Sequence, residues 1–529
     1  MEDHPIPAEF GTLISLAVDD MMARLDAMTR REKAENEAAR AAQDPCGHLP
    51  IYPVAGIVTL RPAGSETVFV PAGTPVEPAD GATVAWRTAA PVTIAPVRVA
   101  AADHVRHLPG LPDDGGPGVR SVIRLTLERT APRWGECGPP NDVAVWFGGA
   151  GPEVTAALFN AVYFHGGLAF ARGTAGRWLP IVTRVGGFDP DEVLFPVADE
   201  LRHLVEAAVF HAKFHFLKLA RLAAAWGDGG VLEVAVTTSA PRSDARPRAA
   251  AFRADCVAVA NDERAQIAPV EFTAFARDRE LDEPHVVRVD AVAEMPPNST
   301  EYGPSRPPGL GRGFGLGVCR PEYTGWYRRR SDGGYRAVLS RAAPDLPGGP
   351  PESVLARVDL IRCDGPAAAR VPLGAAVLVR SAGGVLHGEL IARTPGPVVP
   401  AALGGAGPPL GGLTTADQCD HLRTFVRAAG LTPAAARWAA AITGVRIDAP
   451  VPTELTLEPG EPAGLVNGRT VTVALDTGDG PDPGVGLFAA ALDRCLGLST
   501  TRCEFTRLVV TTAQEEYRCP PRLGSRTDL

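Results

Sequence analysis

Four side chains within thirteen residues raise the first chemical question: His203, Glu206, His211 and His215. Imidazole nitrogens and carboxylate oxygens are the donors that zinc accepts. Residues four apart on a helix share a face, so a helix through this segment would let His211 and His215 hold one metal ion. The reading this allows is a metal-dependent enzyme using His203, His211 and His215. Against it, Ala-Lys-Phe separates the last two histidines, where a zincin has Glu-x-x. Lys213 and Lys218 would oppose a bound cation, and no further ligand is marked.

Other chemistry is thinner. The phosphate-cradling GxxxxGK[ST] pattern and the GxSxG elbow are both absent. Gly309, Gly311, Gly313, Gly315 and Gly317 never form GxGxxG and read as a loop. Asp476, Asp479 and Asp482 are three apart in a Gly/Pro stretch. Calcium loops place oxygens at every second residue, so this spacing reads as turn chemistry. Trp326-Tyr327-Arg328-Arg329-Arg330 could stack bases or hold an anion. In an acidic chain it fits a strand end or a protein interface better.

The elements that would carry these groups belong to a large globular chain. At 529 residues, 45% apolar and 21% charged, it is too long for a single core and too apolar for disorder. A net charge of −9 disfavours nucleic acid as a partner. Nine scattered cysteines without CxxC fit a reducing compartment. The start, MEDHPIPAEF, has no basic and apolar regions of a signal peptide, and no apolar run is long enough for direct membrane insertion.

Residues 1–48 read as an N-terminal helical arm, one helix from Phe10 to Gln43. Its apolar seam Ile14, Val18, Met21, Leu25 and Met28 follows a heptad for two turns of the pattern and is a candidate interface. Asp44-Pro45 ends it. Residues 49–345 read as a β-rich region of short strands separated by turn residues. Examples are Val143–Phe147, Val231–Thr238, Ile267–Phe275 and His285–Val292. Helical spacing predicts a helix at Glu153–Phe164 and a helical insert over about 197–225, with apolar positions 201, 204, 205, 208 and 209. Residues 346–529 read as a mixed α/β unit. It holds strand Val354–Ile361, helices Ala416–Ala429, Pro433–Ile442 and Gly486–Leu496, and strands Glu454–Leu457, Thr470–Leu475 and Glu504–Val510. The Pro/Gly-rich stretches 296–317 and 394–413 read as linkers able to flex. The fold class is therefore α+β, multi-domain and β-rich.

Several segments, in order, resemble one family. They are Ile51-Tyr52-Pro53 through Val58–Pro62, Val70-Pro71-Ala72-Gly73-Thr74, and Trp86–Ala89 with Val92–Pro96. Gly187-Phe188-Asp189-Pro190-Asp191-Glu192 with Leu194-Phe195-Pro196 follows, then Trp326–Arg329. Gly444-Val445, Gly464-Leu465, Asn467-Gly468, Val471–Asp476 and Phe488–Leu496 lead to the close, Pro521-Arg522-Leu523-Gly524. Their joint order over residues 51–529 is similar to the TssF (ImpG, VasA) family of type VI secretion baseplate subunits. Gly187, Phe188, Asp189, Pro521, Arg522, Leu523 and Gly524 are its signature positions here.

This sequence departs from the family pattern in a shorter, more polar N-terminus and in Gly/Pro-rich chain before Thr414. The family stretch at His211–His215 also lacks these histidines. The resemblance implies a fold similar to contractile phage baseplate wedge proteins, no catalysis and no cofactor. It implies assembly with TssG-like, TssE-like and TssK-like proteins and with a second copy of the chain. The implied place is the cytoplasmic side of the inner membrane, where the baseplate nucleates tube and sheath. A baseplate wedge of another phage-tail-like injection system is the alternative.

Overall fold

Short apolar runs punctuated by glycine and proline become strands here, and most find partners far away in sequence. A computed structural model describes residues 52–524, except 82–83, 85, 113–117, 175, 196, 198, 228, 243–246, 273–277, 282–285, 296–308, 311–322, 330–334, 342–353, 397–414, 429–431, 456–463, 479–481, 499 and 501–503. The fold is β-rich with a few helices, and its C-terminal part mixes the two. The expected helix Phe10–Gln43 lies outside the described residues. So do the stretch 397–413 and most of 296–317; within the latter, Gly309–Leu310 forms a short strand. No helix among the described residues is long and apolar enough to cross a membrane.

Six strands close a barrel in the order Ala55–Pro62, Cys256–Ala260, Trp86–Thr88, Pro75–Pro78, Ala376–Ser381 and Gly384–Arg393. Val58, Leu60, Val76, Trp86, Val259 and Val379 fill it. Closure removes exposed edges, and it needs close strand approach at one seam. There Leu60 faces Gly388 across the pair. A Cβ on Gly388 would overlap the Thr59 carbonyl oxygen, and one on Gly56 would lie 2.8 Å from Leu390 Cδ1. Both glycines are required by space.

Beside the barrel lies an eight-stranded antiparallel sheet. Its order is Arg253–Ala254, Asp142–Trp146, Phe216–Ala220, Leu179–Val185, Gly166–Gly173, Val231–Thr238, Ser121–Arg129 and Val97–Val105. Val231–Thr238 is apolar nearly throughout because both faces are covered. Helix α1 (Pro152–Tyr163) covers one side, starting with proline in its first turn after Gly151 at φ +84°. Helix α2 (Asp199–Val209) joins it.

The expected helix over 197–225 stops at Val209. Phe210 leaves helical geometry (φ −144°, ψ 70°), and a 3-10 turn spans His211–Phe214. Phe216–Ala220 is a strand pairing with both 142–146 and 182–185. Its apolar residues meet helical spacing locally, but two waiting sheet neighbours satisfy its backbone instead.

The C-terminal unit adds helices α3 (Thr415–Ala428), α4 (Pro433–Ala441) and α5 (Val485–Leu498) to a six-stranded sheet. Thr432 caps α4 by accepting the Ala435 N–H, with Pro433 at the first helical position. Parallel strands Gly464–Leu475 and Glu504–Thr511 are joined through α5, which is buried on nearly every side. Helix α5 packs against α2 and α1, so one core runs from Tyr52 to Cys519.

A separate core (Val270, Phe272, Val292, Leu339, Val358, Leu360) belongs to two small sheets within residues 263–362. The barrel and the largest core both take residues from each side of position 345. The cores thus divide the chain differently from the expected units 49–345 and 346–529.

Gly388→Ala should lower unfolding free energy by about 1–3 kcal/mol, because overpacking forces the seam apart. Gly64→Ala, with open space around it, should change it by less than ~0.5 kcal/mol. Denaturant titration of both variants measures the contrast.

Candidate functional site at a buried junction

The loop from Gly186 to Glu192 is built around a single carboxylate. Glu192 accepts the Gly187 N–H at 2.6 Å and the Asp189 N–H at 3.1 Å, and it pairs with Lys218 at 2.5 Å. Lys218 also binds Asp189, which meets Arg184 as well. Gly187 sits at φ +93°, and a Cβ there would lie 2.7 Å from Phe214 Cδ1 and 2.9 Å from the Lys213 carbonyl oxygen. Backbone conformation and space both demand glycine.

This turn drives Phe188 into the core at 3% exposure. Its ring lies 4.6 Å from Phe214, 5.4 Å from Tyr163 and 5.5 Å from His203, centroid to centroid, and Arg494 stands 5.2 Å over it. The chain's end meets the same cluster. Arg522 donates to the Tyr163 hydroxyl at 2.9 Å and pairs with Asp493 of α5. Gly524 N–H closes on the Glu504 carbonyl at 2.9 Å. The signature residues Gly187, Phe188 and Arg522 are thus brought together from opposite ends of the chain. Asp189 lies at the loop's outer side, and Leu523 is exposed.

The histidine set divides. His203 is buried against Phe188, while Glu206 is fully buried with its oxygens already taken. One accepts the Leu194 and Phe195 N–H groups at 2.7 and 3.2 Å, and the other pairs with Lys213. His211 and His215 do face each other, with rings 5.4 Å apart. Burial, then the cations Arg202, Lys213, Arg494 and Arg522, hold His203 far below the usual imidazole range. Burial pushes His215 down to about 3. Among the described residues no group of three or more His, Cys, Asp or Glu side chains is arranged to hold a metal.

Asp476 and Asp482 cap turns, accepting N–H groups of Gly478 and Gly484, and Asp482 pairs with Arg437. Asp479 lies outside the described residues. Tyr323–Arg329 is a strand paired with Tyr335–Arg341. The interface candidates Ile14, Val18, Met21, Leu25 and Met28 lie outside the described residues.

Sequence reasoning missed Asp493, Arg494, Tyr163 and Glu192 as members of this junction. A signal was present: Asp-Arg interrupts the otherwise apolar run VGLFAAALDRCLGL. Burial raises Asp493 to about 6 despite Arg522 beside it. A buried Ser–His contact was also missed. Ser121 donates to the Ala240 carbonyl and meets His104 Nε2 at 2.9 Å. Its hydroxyl is committed and fully enclosed, so it braces the sheet and attacks nothing. The junction as a whole is a set of paired charges and stacked rings that fastens α1, α2, α5 and the chain's end.

Arg522→Ala leaves Asp493 enclosed without its cation and should cost ~3–5 kcal/mol. Arg522→Met with Asp493→Leu should recover a large part of that loss. Denaturant unfolding of the single and double variants checks it.

Acid should also weaken the fold. His203 and His215 bind protons less readily folded than unfolded, so their contribution is complete above about pH 6.5 and lost as pH falls toward their folded values. Asp493 works oppositely over about pH 4–6, holding its proton more tightly when folded. Two imidazoles outweigh one carboxyl. Each tenfold loss of proton affinity on folding is worth ~1.4 kcal/mol, so stability should drop by a few kcal/mol from about pH 7 to about pH 4. His203→Gln should flatten the profile, and a flat wild-type profile would contradict the assignment.

Residues 47–307 match the family model described as Type VI secretion system, TssF. A solved structure described as the type VI secretion system TssK-TssF-TssG baseplate subcomplex, from cryo-electron microscopy, contains a similar chain. The TM-score is 0.64 at 18% identity, over 98% of this chain and 99% of that one. That likeness is one of fold. No curated protein matches.

Proposed function

We propose that this chain, which belongs to the TssF family of the type VI secretion system, serves as a structural component of the baseplate. The observation that carries the reading is the use made of its signature residues. Gly187, Phe188 and Arg522 lie at an internal fastening, where every charge but one carboxylate oxygen and one guanidinium nitrogen has a partner. Residues kept for catalysis would line an accessible cleft. These hold one unit of the chain against another.

The finer reading gives the chain TssG-like and TssK-like partners, since the similar chain lies in a complex described by those names. A TssE-like subunit and a second copy of the chain complete the wedge. The assembly stands on the cytoplasmic side of the inner membrane and catalyses no reaction. The exposed side chains Phe69, Leu373, Val451 and Leu465 are apolar surface of the kind that obligate contacts cover. The arm's seam, Ile14 to Met28, supplies a helix-to-helix contact with a partner subunit.

Val18→Asp with Leu25→Asp should abolish co-purification with the TssG-like partner while leaving the thermal transition of the isolated chain unchanged. Retained complex with a folded double variant would remove the arm from the interface. Failure of the wild-type chain to enter any baseplate complex, when expressed with its neighbouring subunits, would sink the whole reading.

A further inference from the structure

We propose that residues 263–362 form an arm that swings on a two-strand neck, with Arg87 and Asp262 as the catch that holds it. Three independent features meet at this point. The arm has its own hydrophobic core, and its strands pack extensively on one another without comparable packing on the rest of the fold. Domains that share no apolar interface move relative to one another by default.

The connection is narrow. The chain leaves the barrel after Cys256–Ala260 and comes back at Arg362–Asp364 before the barrel strand Ala376–Ser381. At the neck, Asn261 Oδ1 accepts the Asp364 N–H at 2.9 Å, and Glu263 pairs with Arg362 at 2.9 Å. These bonds tie the two neck strands to each other. Asn261 N–H donates to the Val54 carbonyl at 2.8 Å, which fixes the neck's root to the body.

The catch crosses from body to neck. Arg87 Nε donates to Asp262 Oδ1 at 2.7 Å and to the Asp262 carbonyl at 3.1 Å. Both side chains are mostly shielded from water. Beside this contact is an open cleft of about 650 Å³, with Val76, Trp86 and Arg87 on the barrel wall and Asp262, Glu263 and Arg264 on the neck wall. A packed joint would have no such space. The cleft provides the room for a change of angle, and the one ion pair across it provides the restraint. Hinges of this kind concentrate backbone change in a few residues at element ends.

This inference goes beyond the baseplate reading, since a rigid arm would leave that reading intact. Its test is a distance measurement by pulsed electron spin resonance on the full chain, in a background whose reactive cysteines are replaced by serine. One pair of labels spans the joint, Ala268→Cys on the arm and Val385→Cys on the barrel. The other stays within the body, Val182→Cys with Val385→Cys. In Asp262→Ala the spanning distribution should widen by at least about twofold while the body pair stays as narrow as before. No widening across the joint would overturn the hinge and its catch. Equal widening in both pairs would overturn it too, because that reports general loosening.

Discussion

Arg522 reaches Asp493 on α5 and the Tyr163 hydroxyl on α1, so one cation joins stretches of chain that are far apart in sequence. A charge taken out of water is costly unless its partner is already in position. Asp493 is enclosed at 1% exposure, so the end of the chain has a defined place to go and nothing equivalent to replace it. The same rule governs Glu206 with Lys213, buried one layer away beside Phe195 and Tyr52. Paired burial of this kind fixes where the C-terminal unit sits on the central sheet. The apolar contacts around it would tolerate more than one arrangement.

Much of the fold was legible wherever periodicity and turn residues agreed. Val231–Thr238 and the helices near 153–164, 416–429 and 486–496 lie within a residue or two of their expected limits. Phe216–Ala220 was not legible, since a short apolar run satisfies helix and strand spacing equally until its neighbours are known. The hairpin Ala376–Arg393 was missed for a related reason: it is polar on its outward positions and its partners lie more than three hundred residues earlier. Of the junction, Gly187 to Asp189 and Pro521 to Gly524 stood out by resemblance. That Phe188 and Arg522 meet could not be read from either motif, because convergence is a property of the sheet and helices between them.

The division of cores bears on how such a subunit can work within an assembly. The barrel, the central sheet and the C-terminal unit are bound by strand pairing, by one continuous apolar interior and by enclosed ion pairs. Residues 263–362 depend on the rest far less. A body of this kind holds position while a lightly attached part accommodates a neighbour, which suits a member of the TssF family better than a cleft shaped for one substrate.

Barrel closure also sets a schedule for biogenesis. Ala55–Pro62 pairs with Gly384–Arg393, so the first barrel strand leaves the ribosome long before its partner exists. At ~5–20 residues per second of translation, that wait is on the order of tens of seconds. Throughout it, a nascent hydrophobic strand edge stands open to other nascent chains and to chaperones, and the yield of soluble subunit is decided there, before any neighbour in the machine is met.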